Sequence, residues 1–306
     1  MSNSDAVTDS LTTIGDYIRW GASRFNEAGL FFGHGTANAI DEAASLVLHA
    51  IHMPHNLATG YFGCALAMAE REAAVELIER RIRERVPAAY LTGEAWFCGL
   101  PFFVDKRVLV PRSPVAELIE QQFTPWIADP DSVTRILDLC TGSGCIAIAT
   151  ALAFPGVPVD AVDISVDALE VARINVGKHG VEEQVELFLG DLFEPLKGRR
   201  YDLIVSNPPY VNTEEWRNLP AEYLAEPKLG LESGASGLDC VRRILRDALH
   251  HLTPEGVLVV EVGSSAETLE AAFPDLPFCW LEFERGGDGV FLLTAEQLGA
   301  NQEYLR

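Results

Sequence analysis

The chain has 306 residues, of which 48% are hydrophobic and 22% are charged, a composition typical of a folded globular protein and not of a disordered one. Its apolar runs stop well short of the roughly 18 residues that a membrane helix needs, and its polar start lacks a signal-peptide pattern, so we expect a cytoplasmic protein with no membrane association. The net charge of −22, from 23 basic and 45 acidic residues, disfavours direct DNA binding and favours a basic partner, while nothing in the composition indicates an oligomeric state.

Residues 1–88 predict a small helical domain. Apolar residues recur three and four positions apart, as on one face of a helix, in the segments 15–29, 37–52 and 71–86. The run ERRIRER at 79–85 alternates arginine with glutamate and isoleucine, which favours a solvated, salt-bridged helix face over a nucleic-acid site.

The histidines and the cysteines are residue types that can bind metals, but the pattern of neither set predicts a metal site. His49, His52 and His55 are spaced like ligands, but Pro54 interrupts the helix and no cysteine or carboxylate accompanies them. The six cysteines show no C-x-x-C pair, which favours reduced thiols over zinc ligands or disulfides.

Residues 89–112 predict a hairpin that connects the helical domain to the remainder of the chain. Aromatic and β-branched runs favour two strands, and Gly99-Leu100-Pro101 predicts the break between them. Ser113-Pro114 then predicts the beginning of a helix.

Residues 113–306 predict an α/β domain with a seven-stranded, mostly parallel sheet. Strand-like runs alternate with amphipathic helices, which is typical of a doubly wound sheet; the runs are RILDLC, VDAVDI, VELFLG, YDLIVS and GVLVVEVG. The last two strand-like runs, 278–285 and 290–295, flank the sequence GGDG, which predicts a tight turn and an antiparallel pair at one edge.

A glycine loop follows the first of these strands, in the sequence DLCTGSGCIA at 138–147. Gly142 and Gly144 allow a sharp turn and a close approach to a ligand, and the helix that begins there presents free amide hydrogens. Asp163 lies at the end of the next strand, where dinucleotide-binding proteins place a ribose-binding carboxylate. The loop therefore predicts an adenosine-containing ligand, and both a nicotinamide dinucleotide and S-adenosylmethionine fit it.

Three acidic residues at strand ends refine this prediction. Asp138 precedes the glycine turn, where a carboxylate suits an ammonium group, as in S-adenosylmethionine, and repels a pyrophosphate. Asp163 would accept hydrogen bonds from two ribose hydroxyls, and Asp191 would lie beside the adenine. Each of the three also fits an ordinary turn or helix-cap residue.

The sequence NPPY at 207–210 follows a buried strand, at the edge of the sheet where ligands bind. Two successive prolines remove two backbone donors and leave a loop that presents acceptors. The side-chain oxygen of Asn207 and the backbone oxygen of Pro208 can hold both hydrogens of a planar NH2 group, with the ring of Tyr210 packed against it. The motif predicts a conjugated amino group, either an amide or an adenine, as the acceptor of a carbon.

At these motifs the chain resembles the class I S-adenosylmethionine-dependent methyltransferases that modify planar NH2 groups, and among them the glutamine methyltransferases of translation proteins. The likeness extends through VLVPRSPVAELI (108–119), GDLFEPL (190–196) and AEPKLGLESGASGLD (225–239). It implies a Rossmann-like fold with S-adenosylmethionine as cofactor. The implied cofactor-binding residues are Asp138, Cys140, Thr141, Gly142, Gly144, Asp163, Ile164, Asp191, Leu192 and Asn207. The implied catalytic residues are Asn207, Pro208, Pro209 and Tyr210.

The segment VPRSP at 110–114 is similar to the branch of this family that acts on the third protein of the large ribosomal subunit, whereas release-factor methyltransferases tend to have PRPDTE there. The resemblance implies methylation of one glutamine of that basic protein on its amide nitrogen. It also implies that Pro111 lies near the transfer site and that the N-terminal helices help to recognise the substrate. Ala225 stands where the family often has histidine, so no catalytic histidine is assigned.

Four alternatives stay open at this point. A release-factor glutamine methyltransferase would use the same chemistry on another protein. An adenine-amino DNA methyltransferase would share NPPY but needs a basic groove, which the acidic composition disfavours. A nicotinamide oxidoreductase would account for the glycine loop alone. A non-catalytic ribosome-assembly protein could keep the fold and the motifs without the activity.

Overall fold

The structure, a computed structural model, describes residues 3–305. Contacts divide the chain into two compact units. The first unit ends at Glu94 and also includes Leu219–Ala225, and the second comprises Ala95–Asn218 and the chain from Glu226 onward. The sequence did not predict that a segment inside the α/β region belongs to the helical unit, and the domain limits 1–88, 89–112 and 113–306 stay a prediction.

The helices and strands are numbered in chain order. The α-helices are α1 (Asn3–Ser10), α2 (Ile14–Glu27), α3 (Ala39–Ala50), α4 (Met68–Glu84), α5 (Ala88–Thr92), α6 (Val115–Glu120), α7 (Cys145–Ala153), α8 (Val166–His179), α9 (Thr213–Arg217), α10 (Ala221–Leu224), α11 (Asp239–Ala248), α12 (Ala266–Ala272) and α13 (Ala295–Ala300). The strands are β1 (Glu94–Phe97), β2 (Leu100–Phe103), β3 (Ile136–Leu139), β4 (Val159–Asp163), β5 (Val185–Leu189), β6 (Tyr201–Ser206), β7 (Leu252–Glu261), β8 (Cys279–Trp280) and β9 (Val290–Thr294). Within residues 3–305, no helix combines the length and the apolar character that crossing a bilayer requires.

The first unit is held by an apolar core and one buried charge network. Tyr17 and Phe25 on α2 are fully buried in the same core as Leu46 on α3. The Arg81 side chain on α4 is also fully buried, and its guanidinium contacts Glu42 at 2.7 Å and Glu222 at 3.4 Å. The expectation of a solvated, salt-bridged face at 79–85 is therefore wrong about the solvation of Arg81, whose charge is instead compensated in the core by two carboxylates from distant parts of the chain.

The second unit is built on a seven-stranded sheet of order β5-β4-β3-β6-β7-β9-β8, which confirms the predicted fold class. Strands β5, β4, β3, β6 and β7 are parallel, and β9 is antiparallel to both of its neighbours. The strands that follow β3 in the chain are added first on one side of it, as β4 and β5, and then on its other side, beginning with β6. Such a reversal of strand order leaves a crevice at the carboxyl ends of the strands. The motifs at 138–147, 163 and 207–210 all lie at these ends.

Two predicted turns differ from the structure. In the β1–β2 hairpin the strands are separated by Cys98 and Gly99 only, because Leu100 already belongs to β2. The tight turn predicted at GGDG is wrong, because β8 ends at Trp280 and a longer loop follows it. The Glu117 carboxylate on α6 accepts hydrogen bonds from the amides of Glu284 (3.0 Å) and Arg285 (2.8 Å), and these contacts hold the loop away from a hairpin path.

Candidate active site

A cavity of about 480 Å³ opens at the carboxyl ends of the parallel strands, a size typical of a small-molecule site. Most of the predicted site residues line it: Pro111, Cys140, Thr141, Gly142, Asp163, Ile164, Asp191, Leu192, Asn207, Pro209 and Tyr210. Asp138, Gly144 and Pro208 are not among the lining residues. The structure therefore brings together in one crevice the glycine loop, the acidic strand ends and the NPPY motif, while the roles assigned to individual residues stay predictions.

The glycine loop between β3 and α7 follows a left-handed path. Cys140, Gly142 and Gly144 have φ angles of 60°, 55° and 80°. At Gly144 a Cβ would lie 3.3 Å from the Cβ of Ala172 on α8, so the glycine also allows the helices to approach closely. Cys140 adopts a conformation that non-glycine residues rarely take, and its local sequence does not reveal this.

Asp138 lies beneath this loop and supports it. Its side chain is 1% exposed, and its Oδ2 accepts hydrogen bonds from the Thr141 hydroxyl at 2.5 Å and the Ala147 amide at 3.1 Å. Its Oδ1 is buried and finds no hydrogen-bond partner in the described part of the chain. Burial raises the pKa of Asp138 to about 7, against the opposing effect of the two donors. An unpartnered buried carboxylate oxygen fits a ligand that presents an N–H donor, as an ammonium group does.

Asp163 and Asp191 both line the cavity. The two carboxylate oxygens of Asp163, at the end of β4, accept hydrogen bonds from the amides of Gly142 and Ser165, each at 2.9 Å. Burial raises the pKa of Asp163. Asp191 follows β5 and forms an ion pair of 2.8 Å with Arg243 of α11. Asp163 thus ties the glycine loop to the next strand and keeps lone pairs for further donors.

The NPPY loop follows the end of β6, and hydrogen bonds to two other segments of the chain hold its backbone in place. The backbone oxygen of Tyr210 accepts a hydrogen bond from the Ser265 hydroxyl at 2.6 Å, and Val211 donates to the carbonyl of Leu231 at 2.8 Å. The Tyr210 ring packs on Gly263, where an added Cβ would lie 2.7 Å from a ring carbon. Any larger residue at 263 would displace the ring, so the structure keeps Tyr210 at the cavity wall.

Sequence reasoning missed Glu261, the last residue of β7. It lines the cavity and is 6% exposed. Its Oε2 accepts a hydrogen bond from the Ser113 hydroxyl at 2.5 Å, and its Oε1 lies 3.4 Å from the Tyr210 hydroxyl. Burial raises the pKa of Glu261, while hydrogen bonds from Ser113, Tyr210 and Asn207 and the charge of Arg112 oppose the rise. A glutamate inside the apolar run LVVEVG was the available signal, since buried carboxylates are rare without partners.

Glu226, which follows Ala225, holds the 110–113 segment at the cavity. Its two carboxylate oxygens receive the Arg112 guanidinium at 2.6 and 2.8 Å, and Oε1 also accepts the Val110 amide at 2.9 Å. This paired geometry fixes both distance and orientation. The structure thereby explains how Pro111, which is far in sequence from the glycine loop and the NPPY loop, becomes part of the cavity wall.

Fold and site together define a class I S-adenosylmethionine-dependent methyltransferase, with a glycine loop, two strand-end carboxylates and an NPPY loop around one crevice. Residues 125–274 match the Methyltransferase small domain family. Ribosomal protein uL3 glutamine methyltransferases from Neisseria meningitidis (serogroup A) and Xanthomonas campestris pv. campestris are 56% and 54% identical to the chain. These alignments cover 95% and 97% of this chain and 96% of each relative. The chain belongs to the family of ribosomal protein uL3 glutamine methyltransferases, and S-adenosylmethionine is its methyl donor.

Binding of S-adenosylmethionine is expected to weaken as the pH falls through 7. The Asp138 carboxyl has a pKa of about 7 in the free protein, and only its ionised form attracts an ammonium group. In the role that the sequence predicts for Asp138, protonation removes the binding-competent form, and the dissociation constant should rise about tenfold between pH 8 and pH 6. Calorimetric titrations at both pH values measure this change. Asp138→Asn should bind weakly at both, and equal affinity of the wild type at pH 6 and pH 8 would contradict the assignment.

Proposed function

We propose that this enzyme methylates the side-chain amide nitrogen of one glutamine in ribosomal protein uL3. The observation that supports this most directly is the shared cavity, in which the NPPY loop lies beside the glycine loop. The names of relatives that are 54–56% identical over almost their whole length support uL3 as the substrate. The VPRSP segment at 110–114 supports the same choice over a release factor.

The proposed mechanism assigns orientation, and no covalent catalysis, to the side chains. When bound, S-adenosylmethionine supplies an electrophilic methyl group. The Asn207 side-chain oxygen accepts one amide hydrogen of the substrate glutamine, and Tyr210 packs on the amide plane. The second amide hydrogen is assigned to the backbone carbonyl of Pro208, although Pro208 is buried and is not among the residues that line the cavity. An amide nitrogen is a poor nucleophile, so fixing its direction and stabilising the charge that develops on it lower the barrier. The methylated nitrogen then releases its proton to solvent.

The charge of the enzyme supports a basic protein partner. The net charge of −22 attracts a basic ribosomal protein and disfavours DNA, which carries negative charge along both strands. We also propose a cytoplasmic location, where such a partner is made, and a role for the helical residues 1–88 in recognising it. Because the attraction acts between exposed charges, association with uL3 should weaken as salt is added.

The experiment that tests the substrate is intact-protein mass spectrometry of purified uL3 and a purified release factor, each incubated with enzyme and S-adenosylmethionine. One added methyl group on uL3 alone, located on a glutamine by fragmentation, is the expected result. One methyl group on the release factor alone would overturn the choice of partner and keep the chemistry. No methyl group on either protein would favour a non-catalytic role.

A further inference from the structure

We propose that Glu261 is a positioning residue that holds the Asn207 carboxamide with its oxygen facing the substrate amide. The inference rests on the proposed function, since it concerns how the same site orients a glutamine side chain. It adds a residue outside the NPPY motif, on a different strand, to the set that prepares the acceptor.

The sheet register places the two side chains next to each other. Ser206, the last residue of β6, pairs with Val260 of the parallel strand β7. The following residues, Asn207 and Glu261, therefore leave adjacent strand ends side by side, and both line the cavity. The Asn207 side chain also lowers the pKa of Glu261 against the effect of burial, as a donor close to the carboxylate does.

The chemistry of the pair fixes which way the carboxamide faces. An asparagine side chain has an oxygen on one side and an NH2 group on the other, and the two orientations have almost the same shape. An ionised carboxylate only accepts hydrogen bonds, so Glu261 takes the NH2 of Asn207 and repels its oxygen. The oxygen of Asn207 is thereby turned away from Glu261 and made available to hydrogens of the substrate.

Three donors and one positive charge favour the ionised form of Glu261, which this role requires, and oppose the rise in pKa that burial causes. Its donors are Ser113 before α6, Tyr210 in the NPPY loop and Asn207, and the nearby Arg112 supplies a positive charge. On the other side of Glu261, its paired residue in strand β9 is Val290, which carries no charge. Three donors converge on one side chain that has two acceptor oxygens, and a glutamine in its place would offer one oxygen and two unwanted N–H groups.

The first test is the kinetics of Glu261→Gln beside Glu117→Gln. Glu117 is a matched control, because it is a buried carboxylate of the same unit that accepts backbone amides and does not line the cavity. We expect Glu261→Gln to lower kcat for uL3 about tenfold, with KM for both substrates nearly unchanged, since one hydrogen bond to a charged group is lost. Wild-type kcat in Glu261→Gln would overturn the proposal.

A double-mutant comparison separates positioning from a general structural effect. If Glu261 acts through Asn207, then Asn207→Ala and Asn207→Ala/Glu261→Gln should have the same kcat within about twofold. Multiplied losses in the double variant would show that Glu261 acts by another route, and would overturn the assignment.

A second readout does not depend on methylation. In protein with 15N-labelled asparagine, the side-chain NH2 signals of Asn207 are identified by their loss in Asn207→Ala. We expect these signals to shift in Glu261→Gln and to stay in place in Glu117→Gln. Unshifted signals in Glu261→Gln would contradict the contact, whereas shifted signals with no activity of the wild type on uL3 would leave the contact standing and contradict the proposed substrate.

Discussion

Replacing Asn207 with alanine is expected to lower kcat for methylation of uL3 by about 100- to 1000-fold. Removal of one preorganised polar group from an active site typically has an effect of this size. Asn207 lies at the end of β6 in the cavity wall, and the backbone of its loop is fastened by the bonds from Ser265 and Val211. The loop should therefore keep its shape without the side chain, and the loss should fall on kcat more than on KM.

The matched control for this substitution is Asn218→Ala. Asn218 is exposed, donates one hydrogen bond to the carbonyl of Glu214, and does not line the cavity. We expect its kcat to equal that of the wild type. Steady-state assays of methyl incorporation into uL3 measure both variants, and a kcat within a few-fold of wild type in Asn207→Ala would remove Asn207 from the mechanism.

Replacing Asp163 with alanine is expected to weaken S-adenosylmethionine binding by about 100- to 1000-fold. In the proposed role, its carboxylate accepts two hydrogen bonds from ribose hydroxyls, and a hydrogen bond to a charged group contributes about 1.5–3 kcal/mol. Two such bonds contribute about 3–6 kcal/mol together, and the lower part of that range, about 3–4 kcal/mol, corresponds to the stated loss of affinity. The substitution also removes the acceptor of the Gly142 and Ser165 amides, so the glycine loop becomes less fixed.

Asp167→Ala provides the control for Asp163→Ala, because Asp167 is an exposed residue in the first turn of α8 and does not line the cavity. Calorimetry measures the dissociation constants, and the thermal midpoint without ligand reports whether the loop change destabilises the fold. Unchanged affinity in Asp163→Ala would place the ribose elsewhere. A lowered midpoint with unchanged affinity would restrict Asp163 to a structural role.

The sequence predicted the site well where the relevant residues are close together in the chain. Two local patterns, each directly after a strand, indicated the site: the spacing of Gly142 and Gly144, and the run from Asn207 to Tyr210. Both patterns depend on backbone conformation over a few residues. The order of helices and strands follows for the same reason, since hydrophobic periodicity is a local property. The GGDG turn shows the limit of this reasoning, because contacts from Glu117, far away in the sequence, override the local turn preference.

The sequence by itself determined the α/β class, the family and the motifs that meet at the strand ends. Only the tertiary structure decided which buried carboxylates those motifs contact. Ser113 and Glu261 are 148 positions apart, and Arg112 and Glu226 are 114 positions apart. The buried guanidinium of Arg81 is likewise paired with Glu222, which is 141 positions away. Such pairs have no local signal, because a charged side chain can be buried only when folding brings its partner within hydrogen-bonding distance.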